Sequence, residues 1–227
     1  MGKDLTSDEL YAIADVVGWE IDVEVCADLG AGADGVVYLL EDGGCLKLTR
    51  STTEAIVANM LAERWKAGNP VPGFPRFRGA FAIDGIDGAK LHVVVREAAE
   101  TAYPDPTEEE LAEEKVLRQC LRYIDHAWEI GLDREENRYL YAVALAEWGS
   151  RKPALSGLVE GLRTLRDELG VSVQDLHYDN FGVTDSGELC VRDLSRSEMD
   201  MPLYRSESAR LPRLDVSEAM RLAARAP

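Results

Sequence analysis

Gly30, Gly32 and Gly35 stand in the spacing G-x-G-x-x-G-x-V, with a strand-like apolar run on each side. Upstream is DVEVCADL (22–29) and downstream VVYLLE (36–41). Glycines at this spacing let backbone N–H groups approach phosphate oxygens with no Cβ in the way. A dinucleotide-binding fingerprint would need a helix directly after the glycines. VVYLLEDGG does not start a helix, so the motif reads as a phosphate loop inside a hairpin, or as a plain glycine-rich turn.

The following segments extend the β pattern. CLKLT (45–49) pairs with the preceding strand across Asp42-Gly43-Gly44, a hairpin signal. Residues 52–66 have helical periodicity, and NPVPGFP (69–75) breaks it. Strands are predicted at 79–84 and 90–97. Ahead of them, 7–18 reads as an amphipathic helix, with Ser7 as N-cap and Gly18 as its stop. Pro104 and Pro106 mark a change of character. From 107 to 169 the chain reads mainly as helix, with polar breaks near 131–137 and 149–153. Residues 171–194 read as a loop and a hairpin, and the polar tail after them resists assignment. The predicted class is α+β with two parts: a nucleotide-binding β-rich lobe over 1–100 and a mostly helical lobe over 101–227.

Lys47 lies in the middle of CLKLT, one hairpin after the glycines. A lysine on a strand ordinarily faces solvent; its place one hairpin after the glycines favours the reading of a lysine that faces phosphate. On the wheel of 52–66, Val57, Ala58, Leu61, Ala62 and Trp65 share a face with Glu54 at its centre. A carboxylate on an apolar face needs a partner, and Lys47 is the nearest one. Glu63 falls on the opposite face and reads as solvated. Glu54 also stands early in the helix, where a carboxylate simply favours the N-terminus.

The densest polar cluster is Asp175-Leu176-His177-Tyr178-Asp179-Asn180, followed by a hairpin to Asp193. Taking the loop as Asp185–Glu188 puts Thr184 opposite Leu189 and Asn180 opposite Asp193. Opposed side chains stand roughly 5 Å apart at Cβ. An amide oxygen and a carboxylate at that distance suit magnesium, which takes hard oxygen ligands. Asp175 reaches the same space as a base.

In this ordered set the chain resembles the protein-kinase-like superfamily. Gly30–Val36 is similar to its glycine-rich loop, Lys47 to its third-strand lysine and Glu54 to its helix-C glutamate. Asp175 and Asn180 resemble the catalytic-loop pair, and Asp193 in VRDLS resembles the metal-binding aspartate. The chain departs from the pattern at Gln174, which replaces an arginine, at Leu194-Ser195 after the metal aspartate, and in having no A-P-E. Asp175-Leu176-His177 is closer to compact atypical and aminoglycoside-phosphotransferase-type kinases.

The resemblance implies ATP and Mg2+ as cofactors and γ-phosphoryl transfer to a hydroxyl on a protein or small molecule. Backbone amides of 31–35 would cover the phosphates, and Lys47, held by Glu54, would contact them. Asn180 and Asp193 would hold the metal and Asp175 would act as base. Glu97-Ala98-Ala99 would bind adenine through its backbone, with Arg96 at the position that gates the base pocket. The alternative is a catalytically weak pseudokinase acting as a nucleotide-binding regulatory module. Adenylate transfer is a third use of the same site. His177 either braces the loop or contacts substrate, and His92 and His126 carry no motif.

Composition bears mainly on partners. The formal net charge is −17, which argues against nucleic acid or an anionic membrane surface as a partner. The acidic run Glu108–Glu114 suits a cationic acceptor, and a solvated helix N-terminus explains it equally. Cys26, Cys45, Cys120 and Cys190 form no C-x-x-C pair. With no apolar leader visible in MGKDLTSDEL, the expected location is cytoplasmic.

Overall fold

The computed structural model describes residues 5–32, 35–84, 90–101, 156–174, 176 and 180–217. Its described residues form an α+β protein with four helices and a mostly antiparallel six-stranded sheet. They divide into two compact units. The first takes the described residues of Met1–Pro70, Arg76–Ala98 and Met201–Pro227; the second takes those of Val71–Pro75 and Ala99–Asp200.

In the first unit, helix α1 (Ser7–Glu20) leads into strands β1 (Val25–Ala31), β2 (Gly35–Leu40) and β3 (Gly44–Thr49). Helix α2 (Thr52–Lys66) follows, then β4 (Phe77–Asp84) and β5 (Leu91–Glu97). Thr6, not Ser7, caps α1 and makes a capping box with Glu9. Nor does Gly18 stop the helix, which runs two residues past it. Its glycine answers a packing need, because a Cβ there would strike the carbonyl oxygen of Val23. Tyr11 of α1 meets Tyr38 of β2 edge to face, ring centroids 5.8 Å apart.

The sheet order is β1-β2-β3-β5-β4-β11, with β11 at Arg213–Asp215. One face packs Leu46, Leu48, Val93 and Val95 against Ile13 and Val17 of α1. By strand alternation the other face carries Cys45, Lys47, Val94 and Arg96. Helix α2 buries Glu54, Ala55, Val57, Ala58, Leu61 and Ala62, and it packs on β4 and β5. Trp65 departs from the wheel reading. It is 41% exposed, with the Arg76 guanidinium 5.3 Å from its ring centroid.

The tail that resists assignment returns to this unit. Helix α4 (Met201–Arg210) contacts α2, and β11 pairs in parallel with β4. Val216 is fully buried in the core, and Arg213 forms an ion pair with Asp84. Residues 201–217 therefore stand with the N-terminal sheet, where the sequence reading ended that lobe at 100.

In the second unit, α3 (Ser156–Leu169) buries Leu158, Val159, Leu162 and Leu165, an i, i+1, i+4, i+7 stripe. The proline-rich break supplies its seat. A Cβ at Gly161 would run into the carbonyl of Pro72, and one at Gly73 into the Leu158 backbone. Strand β7 (Val171–Val173) pairs with β10 (Ser197–Met199). Strands β6 (Glu100–Thr101), β8 (Phe181–Val183) and β9 (Leu189–Val191) form a three-stranded sheet. Residues 102–155, with Pro104, Pro106, the acidic run, Cys120, His126 and most of the predicted helical stretch, lie outside the described residues. Cys45 and Cys190 are buried and Cys26 is exposed. Among the described residues no helix is long and apolar enough to cross a membrane.

Candidate functional site

The glycine motif forms the turn between β1 and β2, which pair antiparallel from Val25↔Leu40 to Ala31↔Val36. Its three glycines have different physical reasons. Gly30 has φ +124°, which side chains rarely adopt, and its N–H donates to the Asp28 carboxylate at 2.7 Å. Gly35 lies against β3, where a Cβ would strike the carbonyl oxygen of Leu48. At Gly32 neither reason holds. Its φ is ordinary, and a Cβ would meet nothing within 4 Å among the described residues. No described residue requires glycine there.

The amide of Gly32 donates to the Gly35 carbonyl at 2.8 Å. With the Gly30 amide held by Asp28, neither N–H points outward, which narrows the expectation that amides 31–35 face phosphate. Ala33 and Asp34 lie outside the described residues.

Lys47 and Glu54 come together as the wheel predicts. Lys47 sits in mid-sheet, between Val37 of β2 and Val94 of β5. Its Nζ donates to Glu54 Oε1 at 2.8 Å. Both side chains are buried, at 7% and 3% exposure. Glu54 is placed by the N-cap of α2, where the Ser51 hydroxyl accepts from the Glu54 amide. Glu63 pairs instead with Lys66 on the exposed side of the helix.

Arg96 lies on the same sheet face, opposite Cys45 of β3, as Lys47 lies opposite Val94. It is 7% exposed, and its Nη1 donates to the Glu97 carbonyl oxygen at 2.9 Å. The Glu97 amide donates to the Arg76 carbonyl, and the Glu97 carboxylate accepts from the Arg76 amide. The sequence singled out Arg96 without saying where it points, because strand alternation gives a face and not a rotamer. His92, on the same strand, is buried too, and desolvation holds its imidazole below the usual histidine range.

In the second unit, Ala99 offers its carbonyl to Arg192 Nη1 at 3.4 Å. The hairpin after Asn180 corrects the predicted register by one residue. Val183 faces Leu189 and Phe181 faces Val191, so the loop is Thr184–Glu188 with three residues inside it. The cause is Gly187, whose φ of +81° lets a three-residue loop close with its amide on the Thr184 carbonyl. Asn180 therefore bonds through its backbone to Arg192 at 2.7 Å and does not stand opposite Asp193.

Asn180 is 8% exposed. Asp193 is half-buried, and its Oδ1 accepts from the Ser195 amide at 2.8 Å, which orients the carboxylate. An amide oxygen and an oriented carboxylate fit magnesium in donor type. Asp175, His177, Tyr178 and Asp179 lie outside the described residues, so the expected base has no described position.

The chain matches no protein-family model and no curated protein.

Proposed function

We propose that this protein is a magnesium- and nucleoside-triphosphate-dependent phosphotransferase with a compact, two-lobed protein-kinase-like architecture. ATP is the donor that the resemblance names. The observation that carries the reading is the buried Lys47–Glu54 pair at 2.8 Å, one hairpin after the glycine turn. A buried ion pair is weak as a device for stability, since well-packed apolar residues often do as well. Its presence in the middle of an otherwise apolar strand argues that the ammonium has a ligand to hold.

In this reading Glu54 keeps Lys47 extended and charged, and Lys47 binds the α- and β-phosphates. Gly32 leaves room for the triphosphate over the hairpin. Asn180 and Asp193 would hold Mg2+, which when bound neutralises charge on the phosphates. Asp175 orients the acceptor hydroxyl and takes its proton. Catalysis of this kind comes from positioning and electrostatics, not from covalent chemistry on the protein. The acceptor is a hydroxyl-bearing protein or small molecule.

The direct test adds millimolar Mg-ATP to the full chain. A ligand that binds only the folded state raises the melting temperature, so a clear upward shift is expected in magnesium and a much smaller one in EDTA. Label from γ-labelled nucleotide should then pass to an acceptor or, slowly, to water. No shift and no calorimetric heat would overturn the reading. Binding without any turnover would favour the pseudokinase alternative.

The glycine turn gives a second test. Gly32→Ala should leave the melting temperature unchanged or slightly raised, because no described residue stands within 4 Å of the added methyl group. It should nonetheless weaken Mg-nucleotide binding. Gly35→Ala should lose about 1–3 kcal/mol by collision with β3. Equal nucleotide affinity in wild type and Gly32→Ala would remove the hairpin from the site.

A further inference from the structure

Arg96 is a charged side chain more than nine-tenths buried, at 7% exposure. Among the described residues its hydrogen-bond partner is one backbone carbonyl, Glu97 O at 2.9 Å, and no carboxylate pairs with it. Burying a guanidinium without a counter-charge is costly, and proteins normally avoid it. A guanidinium has five N–H donors in a fixed fork, and a single bond uses only one of them. It lies on the sheet face that also carries Lys47, one strand across and two residues along. None of its other nitrogens is among the buried polar atoms left without a partner, so they stay accessible, on a sheet face already read as binding nucleotide.

We infer that Arg96 selects the base of the nucleotide and favours guanine over adenine, an inference that rests on the phosphotransferase reading. In that reading the Glu97 carbonyl would accept the adenine amine. Here the Arg96 guanidinium already donates to that oxygen, and in this reading its remaining donors meet the edge of the base. Adenine brings its own N6 donors to that edge, so donor meets donor and both lose hydration without return. Guanine presents O6 and N7, two acceptors that match the arginine fork in a bidentate pair. An arginine buried without a carboxylate is thereby explained by the ligand it awaits.

The test measures Mg-GTP and Mg-ATP affinities of the full chain by calorimetry, for wild type, Arg96→Met and Arg96→Lys. Methionine keeps much of the buried volume without the charge, and lysine keeps the charge without the fork. Wild type is expected to bind Mg-GTP about tenfold or more tightly than Mg-ATP, the discrimination expected of one bidentate pair. Both variants should lose most of that ratio while Mg-ATP affinity holds or improves. The wild-type ratio stands as a test even where a variant fails to fold. Equal or tighter binding of Mg-ATP by wild type would overturn the inference and leave the phosphotransferase reading intact. Binding of neither nucleotide by folded wild-type protein would overturn both.

Discussion

Glu54→Ala should destabilise the first unit by about 3–5 kcal/mol, the scale for removing one partner of a buried ion pair. The loss follows from where Lys47 is left. Its side chain is 7% exposed, in the middle of a sheet, and bonded to Glu54. Without the carboxylate, the buried ammonium loses the counter-charge it bonds at 2.8 Å, and weakening the pairing of a buried charge costs stability. Lys47→Met should cost a similar amount, because it strands the Glu54 carboxylate between α2 and the sheet. The double variant Lys47→Met/Glu54→Leu replaces both groups with apolar ones of similar length and should recover most of the loss. Urea unfolding of wild type, Lys47→Met, Glu54→Leu and the double variant closes the cycle and measures the coupling directly. The same double variant separates fold from function, since it should be folded and yet bind no Mg-nucleotide. If it binds Mg-nucleotide as wild type does, the pair is structural and the proposed function loses its main support. If Glu54→Ala unfolds at the wild-type urea concentration, the pair is not an energetically coupled unit.

The pair was legible because two periodicities had to agree. Strand alternation gave the face of Lys47, and the wheel of 52–66 gave the face of Glu54. A carboxylate on an apolar face then needed a partner, and Lys47 on the preceding strand was the obvious one. Local signals of that kind carried most of the first unit: the glycine turn, the Asp42-Gly43-Gly44 hairpin and the strands at 79–84 and 90–97 all appear within a few residues of their expected places. What was missed depended on non-local packing or on one backbone angle. Gly18 reads as a helix stop by type, but its neighbour Val23 lies in the chain's return and is invisible in a helical pattern. Strand β11 is three residues long and pairs with a strand more than a hundred positions earlier, too short for alternation to register. The hairpin slip came from counting a four-residue loop where Gly187, in the left-handed region, closes three. One residue of register moves a side chain to the other face of a strand. The metal pair was therefore the least secure part of the site read from sequence.

Asp193 and Asp175 should fail in different ways when replaced, and the difference separates an enzyme from a binding module. In the proposed site Asp193→Ala removes a carboxylate from the cation, and it also removes the acceptor for the Ser195 amide. Mg-nucleotide binding should weaken and turnover should vanish together. Asp193→Asn keeps an oxygen for Ser195 and isolates the loss of charge, so it should fold as wild type and still bind Mg-nucleotide poorly. Asp175→Asn is nearly isosteric and leaves the proposed metal ligands in place. Its nucleotide affinity should stay within a few-fold of wild type while turnover falls by roughly 10²-fold or more, the usual scale for loss of a general base. Slow hydrolysis of the γ-phosphate to water suffices as the assay before an acceptor is known. Equal turnover by wild type and Asp175→Asn would show that Asp175 is not the base. Should wild type bind Mg-nucleotide through Asp193 and turn over with no acceptor, the chain uses the nucleotide as a ligand, and the regulatory-module reading replaces the phosphotransferase.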